Sequence, residues 1–214
     1  MNEYLSPAHY IDSAHVAVQD FSRRNCSGTS ERQRAVSLYY AVRDGVRYNP
    51  FLDFTKPAVF TASAVLEAGE GFCIGKAALL AARSRAAGIP ARVGFADVKN
   101  HLTSPRLAET MGSDLFVYHG YTEFLLDGKW VKATPAFNLA LCRRFRVKPL
   151  EFDGATDSIF HPFDQDERRH MEYLRDRGTY ADVPVEAIQQ CFRETYPRFY
   201  KLGKDAAKET FTPG

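Results

Sequence analysis

Apolar residues recur at helical spacing near the start of the chain. Intervals of three and four residues separate them, which predicts one amphipathic helix of about 16 residues opening at Ser6-Pro7. The apolar side chains are Ile11, Ala14, Val18 and Phe21. A second helix is predicted from Ser30, because Gln33 lies three residues further on and completes a capping-box pattern. The aromatic, turn-rich segment 47–57 predicts a loop packed on the core.

The strongest helix signal lies over residues 73–87. This stretch is rich in Ala and Leu, contains no Pro, and is followed by Gly88 and Pro90. It is apolar on most faces and carries three charged residues. A helix of this kind belongs in the interior of a domain. A shorter helix is predicted over residues 61–68, just before it.

Alternating apolar residues predict strands in the middle of the chain. Two strands, over residues 114–126 and 129–134, flank Asp127-Gly128, a strong two-residue hairpin turn. Such a turn pairs Lys132 with Glu123 and Thr134 with Tyr121, and the opposite charges of the first pair support this register. A further strand is predicted over residues 92–98, and a polar loop over residues 99–113.

The pattern weakens in the last third of the chain. Residues 142–148 alternate basic and apolar side chains, which predicts a basic strand edge, with a phosphate or acidic-partner patch as the alternative. A charged, mostly solvated helix is predicted over residues 164–177 and another helix over 185–196. We therefore expect one domain over residues 1–200, with a core over 30–138 and a helical C-terminal extension over 155–200. Residues 201–214 are expected to fray.

Composition and charge restrict the partners. The 214 residues are 45% hydrophobic and 25% charged, as in a globular domain. The formal net charge of +2 carries no basic footprint, so we expect no nucleic-acid partner. No apolar run reaches the length of a membrane span, and no secretory signal is visible at the N-terminus. We therefore expect a cytoplasmic protein with free thiols and no membrane partner.

One of the four cysteines stands apart from the others. Cys73 follows a glycine-containing turn and begins a predicted helix, where backbone N–H groups and the helix dipole favour a thiolate and an oxyanion. A buried structural thiol is the alternative, and it is our interpretation for Cys26, Cys142 and Cys191. No pair of cysteines has metal or redox spacing, so we expect no metal and no cofactor.

A catalytic thiol needs a general base, which is usually histidine. Of the six histidines, His119 lies centrally in a predicted hairpin strand, a rigid element suited to hold an imidazole. A packed strand residue is the alternative. His101 falls in the predicted polar loop and is a weaker candidate. Solvated or capping roles fit the other four, which are His9, His15, His161 and His170.

Three segments of the chain resemble the transglutaminase-like superfamily. They are Gly71-Phe72-Cys73-Ile74-Gly75-Lys76-Ala77, Ala87-Gly88-Ile89-Pro90-Ala91-Arg92-Val93, and residues 119–137 with Trp130 and Pro135. The resemblance implies a papain-related α+β fold, in which a nucleophile helix packs on a small antiparallel sheet with extra helices at both ends. It also implies that Cys73 is the nucleophile and His119 the base, acting on a peptide, amide or thioester through a thioester intermediate.

The third position of the family pattern is different in this chain. Where the family has Asp before Pro, this chain has Thr134. The predicted register places Thr134 and Asn138 diagonally to His119, where either side chain can orient the imidazole without supplying a negative charge. Asp127 cannot substitute, because the hairpin tip lies roughly 26 Å away at about 3.3 Å per residue.

Two hypotheses of different classes follow. The first is a cysteine hydrolase or acyltransferase, such as a thiol protease, with a Cys73–His119 dyad assisted by Thr134 or Asn138. Hydrolysis makes the lower demand on the site, since amine transfer requires water to be excluded. The second is a catalytically silent domain that binds a peptide or protein partner. Three tyrosines are candidate oxyanion donors or pocket walls, with core packing as the alternative: Tyr48, Tyr118 and Tyr121.

Overall fold

A computed structural model describes residues 2–101, 105–159, 166, 171–198 and 200. Its α-helices are α1 (Val16–Asn25), α2 (Glu31–Gly45), α3 (Ala62–Ala68), α4 (Cys73–Ala86), α5 (Pro105–Met111), α6 (Leu139–Phe145) and α7 (Val185–Thr195). Its strands are β1 (Arg47–Tyr48), β2 (Glu70–Gly71), β3 (Ala91–Asn100), β4 (Leu115–Leu126), β5 (Lys129–Ala133) and β6 (Met171–Tyr180). None of the described helices is long and apolar enough to cross a membrane.

Four strands form an antiparallel sheet in the order β5-β4-β3-β6. The β4–β5 hairpin has the predicted register, because Glu123 pairs with Lys132. The ladder ends at Thr122 and Ala133, so the expected pair of Thr134 with Tyr121 falls just beyond it. Helices packed on this small sheet confirm the predicted α+β class.

Helix α4 lies at the centre of the molecule. It is buried from Cys73 to Arg85, as its apolar composition predicts. Helices α1, α2 and α3 pack against it, and so do strands β3 and β4. The Thr122 hydroxyl donates to the Ala77 carbonyl at 2.9 Å, which joins the middle of β4 to the second turn of the helix.

A buried lysine joins α4 to α2. Lys76 is fully buried, and its ammonium donates to the carbonyl oxygens of Arg43 at 3.0 Å and Val46 at 2.6 Å. These carbonyls lie at the C-terminal end of α2, where backbone acceptors lack intrahelical partners. Burial lowers the pKa of Lys76 to about 7, and nearby Asp44 and Cys142 offset part of that shift. Lys76, which is three residues after Cys73 in α4, therefore caps the C-terminal end of α2.

Two predictions for the first half of the chain are wrong. The first helix begins at Val16 rather than near Ser6, and the His15 side chain caps it by accepting from Ala17 N at 3.3 Å. The predicted loop over residues 99–113 contains α5, because Leu107 and Met111 share a helical face that packs on the core. By contrast, the capping box at Ser30 is present at the start of α2.

Two predictions for the last third are also wrong. Residues 142–148 do not form a basic strand, because Leu139–Phe145 form α6, which ends at Arg146 with a φ of 55°. The helix predicted over 164–177 is wrong over its second half, where the residues belong to edge strand β6. The exposed side chains of an edge strand follow the same polar pattern as a solvated helix. Of residues 164–170, only residue 166 is among those described.

Candidate active site

Cys73 lies at the first position of α4, next to Gly120 of strand β4. Phe72 precedes it in an extended conformation and is the N-cap residue of the helix. The backbone amides of Gly120, Ile74 and Cys73 itself each lower the pKa of the thiol. Backbone N–H groups at a helix N-terminus also suit an oxyanion.

Burial nevertheless dominates the acidity of Cys73. Its side chain is 8% exposed, and loss of solvent raises the pKa of the thiol to about 11 despite the three N–H donors. The prediction of a thiolate from the helix terminus alone is therefore wrong for the free protein. Burial disfavours the charged form of the thiol more than the helix stabilises it. For Cys73 to act as a nucleophile, a base would have to remove this proton.

Glycine at position 120 permits the contact between β4 and α4. A Cβ atom there would lie 2.9 Å from the Ile74 Cα and 3.3 Å from the Cys73 carbonyl oxygen. Both contacts are with backbone, which cannot rotate away. The absence of a side chain at Gly120 thus lets the strand that carries His119 lie directly against the start of α4.

His119 lies on β4 next to a β-bulge. It is 3% exposed and pairs with Ala96 of β3. Between this pair and the next, β4 has two residues, Val117 and Tyr118, where β3 has only Asp97. Tyr118 adopts a φ of 54°, a left-handed conformation that is rare for a non-glycine residue. The extra residue changes the direction of the strand immediately before His119.

An ion pair lies beside this bulge. The Asp97 carboxylate accepts from Tyr118 N at 3.1 Å and binds Arg177 of β6 through Nε at 2.9 Å and Nη2 at 2.7 Å. The Arg177 guanidinium lies 4.7 Å from the centre of the Tyr118 ring. Asp97 is 6% exposed, so both its partners act in a largely dehydrated environment. Neither Asp97 nor Arg177 was singled out by the sequence pattern.

Cys73 and His119 line one cleft, which has about 420 Å³ of empty space including the part that is open to solvent. The structure therefore brings together the two residues predicted as nucleophile and base. The cleft also contains aromatic residues, namely Tyr48, Phe54, Phe72, Phe116, Phe192 and Tyr196. The remaining lining residues are Pro50, Leu107, Met111 and Val117.

The three candidate tyrosines differ in location. Tyr48 lines the cleft, and burial followed by proximity to Cys73 raises its pKa well above the ordinary value. Tyr121 lies over Gly94, with the Lys132 ammonium 5.1 Å from its ring centre. Tyr118 packs beside Phe95, and neither Tyr118 nor Tyr121 lines the cleft. Only Tyr48 is therefore placed to contact a substrate in the cleft.

Thr134 and Asn138 both lie outside the β-ladder. Thr134 is buried, its N–H donates to Ser158 O at 3.0 Å, and its carbonyl accepts from the Tyr39 hydroxyl at 3.2 Å. Its own hydroxyl is buried and has no hydrogen-bond partner among the described residues. Asn138 is the N-cap residue of α6 and makes no side-chain cap bond. Because β5 ends at Ala133, Asn138 does not occupy the diagonal position expected on the sheet.

The C-terminal helix supplies part of the cleft that the sequence did not indicate. Tyr196 follows α7; its hydroxyl accepts from Val117 N and donates to Leu115 O, both at 2.7 Å. Burial raises the pKa of Tyr196, and proximity to Cys73 contributes to the shift. The amphipathic pattern of 185–196 predicted a helix, yet nothing local indicated that Phe192 and Tyr196 line the cleft with Cys73.

The remaining candidates lie away from Cys73. All four cysteines are free, as expected, and Cys26, Cys142 and Cys191 do not line the cleft. The His101 ring lies 3.4 Å from the Glu172 carboxylate at the surface. His161 and His170 lie outside the described residues. Within the described ranges, no group of three or more His, Cys, Asp or Glu side chains is arranged to hold a metal ion.

Comparison with known proteins gives a family match over the same elements. A model of the transglutaminase-like superfamily matches residues 19–135, which include α4 and the β4–β5 hairpin. A search of curated proteins found no match to the chain. Among solved structures, a candidate cysteine protease from Cytophaga hutchinsonii shares the fold with a TM-score of 0.51 and 16% identity. The alignment covers 86% of this chain and 48% of that one, so the chain spans about half its length.

Two further structures were found at lower similarity. A candidate protease from Parabacteroides distasonis has a TM-score of 0.40 and 17% identity, over 55% of this chain and 22% of that chain. A TGase has a TM-score of 0.41 and 16% identity, over 92% of this chain and 49% of that chain.

Proposed function

Since the chain belongs to the transglutaminase-like superfamily, we propose that it is a cysteine enzyme that cleaves amides or thioesters by acyl transfer to Cys73. One observation carries the proposal: Cys73 and His119 line the same cleft, with Cys73 at the first position of α4, where backbone N–H groups lack intrahelical partners. A nucleophile, a base and oxyanion donors are the groups that this chemistry needs.

The reaction begins with a neutral thiol. Because burial raises the pKa of Cys73 to about 11, His119 takes the Sγ proton as the sulfur bonds to the carbonyl carbon. The carbonyl oxygen gains negative charge, which the N–H groups at the start of α4 and of Gly120 stabilise. His119 then returns the proton to the departing amine or thiol as the carbon–heteroatom bond breaks, leaving a thioester on Cys73.

Water resolves the thioester in the reaction we propose. His119 takes a proton from water, the hydroxyl oxygen bonds to the acyl carbon, and the Cys73 sulfur leaves and regains its proton. An amine in place of water would give a transferase. The thiol chemistry fits the reducing cytoplasm, where we propose the protein acts.

Thr134 is the positioning residue that we favour for His119. It occupies the place of the family Asp, it is buried, and its hydroxyl is not committed to another described residue. Asn138 is the second candidate, because its side chain makes no cap bond to α6. Either group would orient the imidazole by a neutral hydrogen bond rather than by charge.

A silent peptide-binding domain is the second candidate function. It is favoured by the loss of the family Asp at Thr134 and by the raised pKa of Cys73, both of which lower reactivity. In that case the cleft would bind a peptide without cleaving it.

Turnover of peptide amides and acyl thioesters separates the two candidates. The wild type should release product, whereas Cys73→Ala and His119→Ala should each lose at least about a thousandfold in kcat/KM. Cys26→Ala is the matched control, since it removes a thiol away from the cleft and should retain activity. Peptide binding that is equal in the wild type and Cys73→Ala, with no turnover by either, would establish the silent domain instead.

A further inference from the structure

The cleft beside Cys73 has an uncharged lining. Apart from Cys73 and His119, every lining residue in the described part of the chain is aromatic, aliphatic, methionine or proline. No Lys, Arg, Asp or Glu side chain is among these described residues, although a quarter of the chain is charged. A substrate group in this space would meet carbon atoms on most sides.

The aromatic walls hold one another in place. The ring centre of Phe54 lies 4.8 Å from that of Phe72 and 5.3 Å from that of Phe192. The Phe192 ring in turn lies 5.6 Å from that of Tyr196. Rings packed in this way restrict each other's rotation, so the cleft has a defined shape before substrate binds.

The polar group of Tyr196 is not free for a substrate. Its hydroxyl accepts from Val117 N and donates to Leu115 O, both at 2.7 Å. These bonds also hold the C-terminal end of α7, which forms one wall of the cleft, against β4. Because the phenol is already committed to the backbone, it offers its ring rather than its hydroxyl to the cleft.

We propose that this cleft binds an uncharged apolar acyl group, aliphatic or aromatic, and that the enzyme therefore acts on amides or thioesters of apolar acids. The assignment rests on the proposed acyl transfer to Cys73. A carboxylate or ammonium would lose its hydration in the cleft and find no permanently charged partner among the described lining residues. Each buried methylene, by contrast, contributes to binding. The α7 wall lies outside residues 19–135, the part of the chain that the family model matches.

The test is a series of acyl thioesters that share one small thiol as the leaving group. For the wild type, kcat/KM should rise about tenfold from butanoyl to hexanoyl, since two methylenes are buried. Glutaryl and 5-aminopentanoyl thioesters, which end in a carboxylate and an ammonium, should react at least about a hundredfold more slowly than hexanoyl. A glutaramoyl thioester, with a neutral carboxamide, should lie between them.

A positive charge placed in the wall should weaken the preference for an apolar acyl group over an acidic one. Met111 lines the cleft from α5, so Met111→Lys should slow hexanoyl turnover and bring the glutaryl rate within about tenfold of it. Glu109→Lys is the matched control, because it adds positive charge to an exposed position of the same helix and should leave the acyl preference unchanged. The wild-type series remains decisive if Met111→Lys does not fold.

The outcomes distinguish this assignment from the proposed function. Turnover that depends on Cys73 but is as fast for glutaryl as for hexanoyl would overturn the apolar assignment alone. If no thioester is turned over in a manner that depends on Cys73, the proposed function fails, and the assignment fails with it.

Discussion

The Asp97 carboxylate accepts a hydrogen bond from the Tyr118 N–H at 3.1 Å, one residue before His119. The same carboxylate binds the Arg177 guanidinium through two nitrogens, which joins strand β6 to the bulge in β4. Tyr118 has a φ of 54°, so the bulge depends on contacts that hold this unusual conformation. Asp97 thereby helps to set the direction in which β4 presents its next side chain.

Substituting Asp97 should therefore impair chemistry more than binding. Asp97→Asn keeps the size of the side chain but weakens the pairing with Arg177, which allows the bulge to relax. We expect kcat to fall about tenfold with KM changed less than about twofold, because the imidazole is misplaced while the cleft is intact. Steady-state kinetics measure both constants, and Arg175→Gln controls for loss of an exposed charge on β6. Unchanged kcat in a folded Asp97→Asn variant would limit Asp97 to stability.

The close approach of β4 to α4 gives a second prediction. Gly120→Ala should lower kcat/KM by about tenfold or more and destabilise the fold by about 1–3 kcal/mol, since its Cβ would meet backbone at 2.9 Å. Urea unfolding and steady-state kinetics measure the two effects. Gly45→Ala is the control, because a Cβ there would meet only a ring atom of Phe21 at 4.0 Å. Wild-type activity in Gly120→Ala would show that this contact does not set the site.

Buried Lys76 should make stability depend on pH. Its folded pKa of about 7 lies below the ordinary value of 10.5, so above pH 7 the unfolded chain binds more protons and the free energy of unfolding rises with pH. The slope from this group reaches at most about 1.4 kcal/mol per unit. Between pH 7 and 8.5, Lys76→Met should reduce this rise in urea unfolding, whereas exposed Lys129→Met should retain it. Above that range the thiols, whose pKa burial raises, oppose the trend.

Thr134 allows the missing family carboxylate to be restored. Thr134→Asp should move the acid limb of the kcat/KM profile to higher pH, because a nearby carboxylate stabilises the imidazolium form of His119. Thr134→Val keeps the shape of the side chain and removes a buried hydroxyl without a described partner. Its free energy of unfolding should therefore lie between the wild-type value and about 1 kcal/mol above it. If both variants keep the wild-type pH profile, Thr134 does not act on His119, and Asn138 becomes the candidate to test.

The local elements of the site were predictable from sequence. Asp127-Gly128 determines the hairpin register, and the Ala- and Leu-rich stretch after Cys73 predicts a buried helix. Each signal lies within a few residues of the structure it specifies. For the same reason Cys73 and His119 were identifiable as candidates before the structure placed them in one cleft.

The rest of the site depends on contacts between distant segments. Asp97 and Arg177 are 80 residues apart, and Tyr196 lies 79 residues from Val117, so no local pattern indicates either bond. Burial of Cys73 likewise arises from tertiary packing, which is why a helix-terminus argument gave the wrong direction for its pKa. The polar sequence of β6 also fits a solvated helix. It forms a strand because it pairs with β3, a distant segment that its own sequence does not indicate.

We propose above all that Cys73 carries the acyl group and that His119 enables the transfer. Acid quenching within the first turnover, followed by intact mass and peptide mapping, measures this directly with a hexanoyl thioester. We predict one hexanoyl adduct located on Cys73, absent from Cys73→Ala and formed at least about a hundredfold more slowly in His119→Ala. An adduct on Cys26, Cys142 or Cys191 instead, or equal rates of Cys73 acylation with and without His119, would contradict the account.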